Sequence, residues 1–183
     1  MHARLRGLAG RQRTEAAETD WAAVYAEYLP RVYNYFRFRT GDNLLAEDLT
    51  AQTFEQAWRG RARYRHDLGA FSTWLFTIAR RVAAGRFRRQ PAMLTVPLES
   101  VAAQPAHSDV EEIVERRSEL ARLQRLLADL PVREREVIEL KYGALLTNRA
   151  IARVTGLSES NVGTLLHRTV QRLRTSWEEE EHA

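Results

Sequence analysis

Apolar residues recur at helical spacing along most of this chain, in two blocks separated by a stretch that has no such stripe. The first block begins at Asp20 and carries Trp21, Val24, Tyr25 and Tyr28, then Val32, Tyr33, Phe36 and Phe38. Pro30 falls inside this run and is expected to break or kink it, being best tolerated in the first turn of a second helix. Gly41-Asp42 ends the run, and Asn43 is a candidate cap for a helix carrying Leu44, Leu45, Leu49, Phe54, Ala57 and Trp58 as core residues. The other face of that helix is polar and mainly acidic: Glu47, Asp48, Gln52 and Glu55. A basic loop follows over 59–66. Asp67 or Ala70 then leads into a long helix with Phe71, Trp74, Leu75, Ile78, Ala79 and Val82, in which the aromatics read as core.

Residues 90–110 hold three of the five prolines and no helical stripe, which reads as an extended linker. Fully stretched, about 20 residues reach roughly 60–70 Å, enough to hold two domains apart on a larger surface. Helical periodicity returns through Ile113, Val114, Leu120, Leu123 and Leu127, and Pro131 opens a further helix with Val137, Ile138 and Leu140. The last stretch, 147–174, reads as two helices and a tight turn. Thr147 or Asn148 caps a short helix with Ile151, Ala152 and Val154, Gly156 supplies the turn, and Ser158 caps a second helix with Val162, Leu166, Val170 and Leu173 on one face. That is the pattern of a helix-turn-helix, in which the second helix enters the DNA major groove; a plain helical hairpin in a bundle shares the same periodicity. No internal repeat and no strand-like alternation appears. The predicted fold is all-α, with two small helical domains joined by a flexible linker and the helix-turn-helix in the second. The boundaries are a basic arm at 1–19, a domain at 20–90, the linker at 91–109, a domain at 110–177 and an acidic tail at 178–183.

Composition narrows the chemistry. The chain has no cysteine, so disulfides and thiolate metal sites are excluded, and its five histidines lack ligand-like spacing. No metal, cofactor or catalytic set is expected. A membrane span needs roughly 18 uninterrupted apolar residues, more than any stretch here offers, and the basic N-terminus lacks a signal-peptide core, so a cytoplasmic protein is expected. The net charge is only +4, and 27 of the 28 basic residues are arginine, a bias that a GC-rich genome would also produce. Position says more: nine arginines and one acid lie between Arg59 and Arg89. Such a block beside a helix-turn-helix points to polyanion contact at two places, the alternative being a solvated basic face.

Read together, AEDLTAQTFEQAW (46–58), FSTWLFTIARRVAAGRFRR (71–89), LPVREREVIELKY (130–142) and the helix-turn-helix resemble the extracytoplasmic-function class of sigma-70 RNA polymerase sigma factors. The resemblance runs from Trp21 to Arg174. It implies that the first domain grips core RNA polymerase through Glu47, Asp48, Gln52 and Glu55. It also implies that the loop and arginine helix, through Arg63, Arg65, Arg80, Arg81, Arg86, Arg88 and Arg89, bind the opened minus-ten element of promoter DNA. The second domain would read the minus-thirty-five duplex. With Val162 and Leu166 facing the core, Ser158, Glu159, Ser160, Gly163, Thr164, His167, Arg168 and Arg172 are the groups able to face DNA, with Arg149 and Arg153 as phosphate contacts. Glu159 can accept from a cytosine amino group or simply favour the first helical turn. An anti-sigma factor is a partner expected of the class.

The chain departs from the usual pattern at Arg81 and Gly85, where the minus-ten strand would be read, so that base preference does not carry over; Ala51 departs on the clamp-facing helix, and Gly163 and Leu165 depart on the recognition helix. A free-standing helix-turn-helix regulator is the alternative, and the linker and acidic-striped helix count against it. A metal nuclease built on Glu47, Asp48 and Glu55 lacks the further acids that such a site needs.

Overall fold

The computed structural model describes residues 20–65, 67, 69–89 and 110–182; the basic arm and the linker expected from sequence lie outside these. The described residues form helices and turns with no strand among them. Helix α1 (Trp21–Thr40) and α2 (Asn43–Gly60) are antiparallel neighbours, a short 3-10 turn (Arg61–Arg63) follows, and α3 (Phe71–Arg89) packs on α2. Then come α4 (Val110–Ala128), α5 (Val132–Ile138), a π-helical turn (Glu139–Gly143), α6 (Asn148–Thr155) and α7 (Glu159–Glu181).

Three sequence expectations are corrected here. Pro30 neither breaks nor ends α1, which runs through it unbroken. An interior proline costs about 3 kcal/mol, but Val32, Tyr35 and Phe36 just beyond it are fully buried, and each such side chain contributes about 1.5–3 kcal/mol. The cap of α2 is Asp42, whose carboxylate accepts from the Leu45 amide at 3.1 Å, so Asn43 is already helical. Leu44 and Trp58, expected in the core, are exposed, with Leu44 at 72%. Gly41 does close α1, adopting φ +68° as a left-handed C-cap.

The acidic tail is not a separate segment. Glu178 to Glu181 continue α7, which lies back on α4: Arg122 donates to Glu180 at 2.9 Å and to the Trp177 carbonyl, and its guanidinium sits 4.1 Å from the Trp177 ring centre.

The two helical groups share one apolar core, which the sequence did not foretell. The π turn packs on α1, and α6 packs on α3. Gly143 makes the first contact feasible, since a Cβ there would stand 3.0 Å from Tyr35 Cα and 3.2 Å from the Asn34 carbonyl. Arg31 spans the same seam, donating to the carbonyls of Ala144 (3.0 Å) and Leu145 (3.2 Å). Leu145 itself takes a left-handed φ of +54°.

At the centre of the seam Arg39 donates to Glu139 at 2.7 Å, and Glu139 is 1% exposed. Burial pushes the Glu139 carboxyl up to about 7, against the opposing pull of Arg39 and Arg135. Because its folded value lies above the ordinary 4.5, its stabilising contribution is complete below that value and is lost as pH rises through about 7. Glu139→Gln is therefore expected to remove a fall in thermal stability between about pH 5 and about pH 7 that the unaltered protein shows. Parallel melting curves for the two forms across that window would refute it.

Candidate nucleic-acid interface

The second helical group builds its helix-turn-helix from local signals. Thr147 Oγ1 accepts from the Ala150 amide (3.2 Å) to start α6, Gly156 ends it at φ +77°, and Ser158 Oγ accepts from the Asn161 amide (3.2 Å) to start α7. Ile151, Val154, Val162 and Leu166 are buried between the two helices. This leaves Glu159, Ser160, Thr164 and His167 exposed along one side of α7, with Gly163 half-buried beside them. Arg149 and Arg153 are exposed on α6.

Arg168 and Arg172 are different. Both reach across to Glu134 in the first turn of α5, Arg168 Nη2 to one carboxylate oxygen and Arg172 Nη1 to the other, each at 2.8 Å. Thr169 Oγ1 adds a third donor at 3.2 Å, and it is fully buried. The two guanidinium groups thus brace α7 against α5, while remaining 58% and 46% exposed. Their outer edges stay open to an anion.

In the first group, the loop after α2 and the start of α3 line an open hollow of about 280 Å³. Arg63, Arg65 and Arg81 stand around it, and Tyr64, Thr73, Trp74 and Thr77 line it. Tyr64 closes the loop by donating to the Gly69 carbonyl (3.3 Å), and its ring lies 5.2 Å from Trp74 at a tilt of 39°. Burial pushes the Tyr64 phenol up, so it stays a neutral donor. Arg65 is fixed by two hydrogen bonds to Asp67, at 3.2 and 2.6 Å, which hold its guanidinium charged. The chemistry on offer is an aromatic wall with hydroxyls beneath it and cations at the rim. That suits one unstacked base and its phosphates.

Among the described side chains of the seven arginines expected here, Arg63, Arg65 and Arg81 line this hollow. Arg80 points to the other helical group, held by Glu136 (2.8 and 3.1 Å) and by the Val154 carbonyl (3.3 Å). Arg88 is exposed and Arg86 half-buried farther along α3, and Arg89 lies at its end. Tyr64, Thr73 and Thr77 also line the hollow without being singled out by the sequence, and Trp74 packs against the core as expected while facing the hollow as well. A signal was present: Ala70, Thr73, Thr77 and Arg81 recur at three- and four-residue spacing, marking a small and polar stripe beside Trp74 and Ile78.

On α2, Glu47, Asp48 and Glu55 are exposed and Gln52 is half-buried. Gln52 donates to Asp48 (2.8 Å) and Arg59 to Glu55 (2.6 Å), while Ala51 and Leu44 lie exposed on the same side. The result is an exposed polar stripe about three turns long.

Comparison with known proteins covers both groups. The profile of Sigma-70 region 2 matches residues 24–92, and that of Sigma-70 region 4 matches residues 120–173. The ECF RNA polymerase sigma factor BldN of Streptomyces coelicolor is 31% identical over 165 residues, 88% of this chain. The match spans 62% of that relative's length. The ECF RNA polymerase sigma factor SigM of Bacillus subtilis is 27% identical over 159 residues, 82% of this chain and 91% of its own. Among solved structures, the sigma factor RpoE of Bartonella quintana, crystallised with the anti-sigma factor NepR, has the same fold. Its TM-score is 0.63 at 22% identity, over 86% of this chain and 96% of that one. With regions 2 and 4 matched in order and relatives aligned across both, the chain belongs to the sigma-70 family of RNA polymerase sigma factors, in its extracytoplasmic-function class.

Proposed function

We propose that this protein is a dissociable, non-enzymatic promoter-specificity subunit of a bacterial RNA polymerase, acting in the cytoplasm. The α2 stripe of Glu47, Asp48, Gln52 and Glu55 docks on the polymerase clamp, with charged rim contacts setting register and partner choice. The exposed side of α7 with Arg149 and Arg153 engages the minus-thirty-five duplex, and the outer edges of Arg168 and Arg172 take its phosphates. The α3 cavity captures a base from the opened minus-ten strand, with Arg63, Arg65 and Arg81 neutralising the backbone around it. Arg86 and Arg88 extend the basic character farther along α3. No helix among the described residues is long and apolar enough to cross a membrane. The sigma factor RpoE of similar fold crystallises with the anti-sigma factor NepR, which supports a masking partner for this chain too.

The hollow carries this reading, because an aromatic wall rimmed by arginines supports capture of an unstacked base, which a duplex-only regulator does not require. Reconstituted transcription tests it. With core polymerase and genomic promoter fragments, initiation is expected to depend on this protein. Trp74→Ala is expected to cut open-complex formation by about one to two orders of magnitude, since stacking on an aromatic contributes about 1–3 kcal/mol per base. Retained binding of the same variant to core polymerase shows that the first helical group, which holds Trp74, stays folded. Unchanged promoter opening with Trp74→Ala would discard the cavity as the base site.

A further inference from the structure

Gly163 lies in the second turn of α7, on the side that carries the exposed Ser160, Thr164 and His167. Packing does not require a glycine there. Its φ is negative, as in the rest of the helix, and a Cβ would meet only Asn148 Nδ2, at an ordinary 3.8 Å. Gly143 is the opposite case, held to glycine because a Cβ would stand 3.0 Å from Tyr35 Cα. A glycine inside a helix loses more chain entropy on folding than alanine and weakens the helix. A position that costs stability and relieves no clash leaves room for another molecule's backbone to approach α7 closely.

The floor of that gap is a polarised donor. Asn148, the first residue of α6, is half-buried, and its Oδ1 accepts from Lys141 Nζ at 3.1 Å. An ammonium only donates, so this bond turns the amide oxygen toward Lys141. Nδ2, the atom beneath Gly163, has no acceptor among the described residues and keeps its N–H groups to offer. With its oxygen engaged, Asn148 cannot form the two-way pair that asparagine makes with an adenine edge. It is a donor backed by a positive charge, which suits an anionic oxygen.

We propose that the notch over Gly163 seats one phosphate of duplex DNA, bound by Asn148 Nδ2, with Lys141 as the residue that orients and polarises the amide. The inference rests on the reading of α6 and α7 as the duplex-binding motif. It adds a contact that the bracing helix makes through a gap in the recognition helix. The first helix of such a motif crosses the DNA backbone, so Asn148 joins Arg149 and Arg153 in fixing register and carries no sequence preference.

Methylphosphonate substitution tests the proposal. The holoenzyme, this protein with core polymerase, is titrated with promoter duplex in which the phosphates of the minus-thirty-five region are neutralised one at a time. At one of the positions that weaken the unaltered protein, the loss is expected to be about five- to tenfold, the scale of one hydrogen bond. Gly163→Ala and Asn148→Ala should each bind unmodified duplex more weakly by that factor and be insensitive at that position. Combined, the two changes should cost no more than either alone, since they remove one contact. Lys141→Met should dull the response to the same phosphate, and a full response there would remove Lys141 from the site. Gly163→Ala is also expected to melt about 1–4 °C higher, which separates a lost contact from a damaged fold. Wild-type affinity in Gly163→Ala overturns the proposal, as does sensitivity of that variant to every methylphosphonate that weakens the unaltered protein. Arg153→Ala keeps the two readings apart. If it weakens binding and Gly163→Ala does not, the notch alone fails; if neither variant and no methylphosphonate in that region alters binding, the assignment of α6 and α7 to duplex fails and takes the notch with it.

Discussion

Glu134→Ala is expected to lower the stability of the second helical group by about 2 kcal/mol, most of it from the fully buried Thr169 hydroxyl losing its acceptor. The two arginine pairs contribute less, because Arg168 and Arg172 are about half exposed and solvent screens them. For a chain of this size each kcal/mol shifts the melting temperature by about 2–4 °C, so the loss should read as roughly 4–8 °C. A second effect follows from geometry. Glu134 aims both guanidinium groups, and without it their side chains are free to turn toward phosphate or away from it. Glu134→Gln keeps an oxygen acceptor for Thr169 and should recover part of the stability. Thermal unfolding followed by circular dichroism checks the prediction, and a melting temperature unchanged in Glu134→Ala would show that α7 docks by apolar packing alone.

Asp48→Arg is expected to weaken binding to core polymerase at least about tenfold, the scale of inverting one close charge at an interface rim. The fold should be untouched, since Asp48 is exposed and its one hydrogen bond is from the neighbouring Gln52. Fluorescence anisotropy of labelled protein titrated with core polymerase measures the effect. The melting temperature serves as the control. Wild-type affinity would remove the α2 stripe from the polymerase interface, and attention would move to the exposed Leu44 and Trp58 at its two ends.

The helices and the helix-turn-helix were legible in the sequence because local rules suffice for them. Thr147, Gly156 and Ser158 cap and turn the chain through bonds to residues at most four positions away, and Val162 and Leu166 meet α6 by periodicity alone. The exposed side of α7 and the α2 stripe follow from the same arithmetic. At Pro30 the local rule predicts a break, and burial of Val32, Tyr35 and Phe36 outweighs it. Asn43 and Asp42 were exchanged because both residue types cap well and only the dihedral angles separate them.

The candidate site was only half legible. Seven arginines on one loop and helix look alike in sequence, yet Arg63, Arg65 and Arg81 gather around the cavity whereas Arg80 is turned to Glu136, 56 positions away. Which way a long side chain points depends on what stands opposite it, and that partner comes from another part of the chain.

By itself, then, the sequence determined the helical class, the order of the helices, the DNA-facing motif and the family, all of which rest on short-range periodicity, capping and motif order. Tertiary structure alone decided that Trp74 and Tyr64 wall a cavity, that Arg168 and Arg172 converge on a single carboxylate, and that Glu136, Glu139 and Gly143 close one helical group against the other. These depend on pairs far apart along the chain, such as Arg39 with Glu139 across 100 positions. The free energy of such pairs comes from the burial and juxtaposition that folding creates, and no local pattern of residues encodes it.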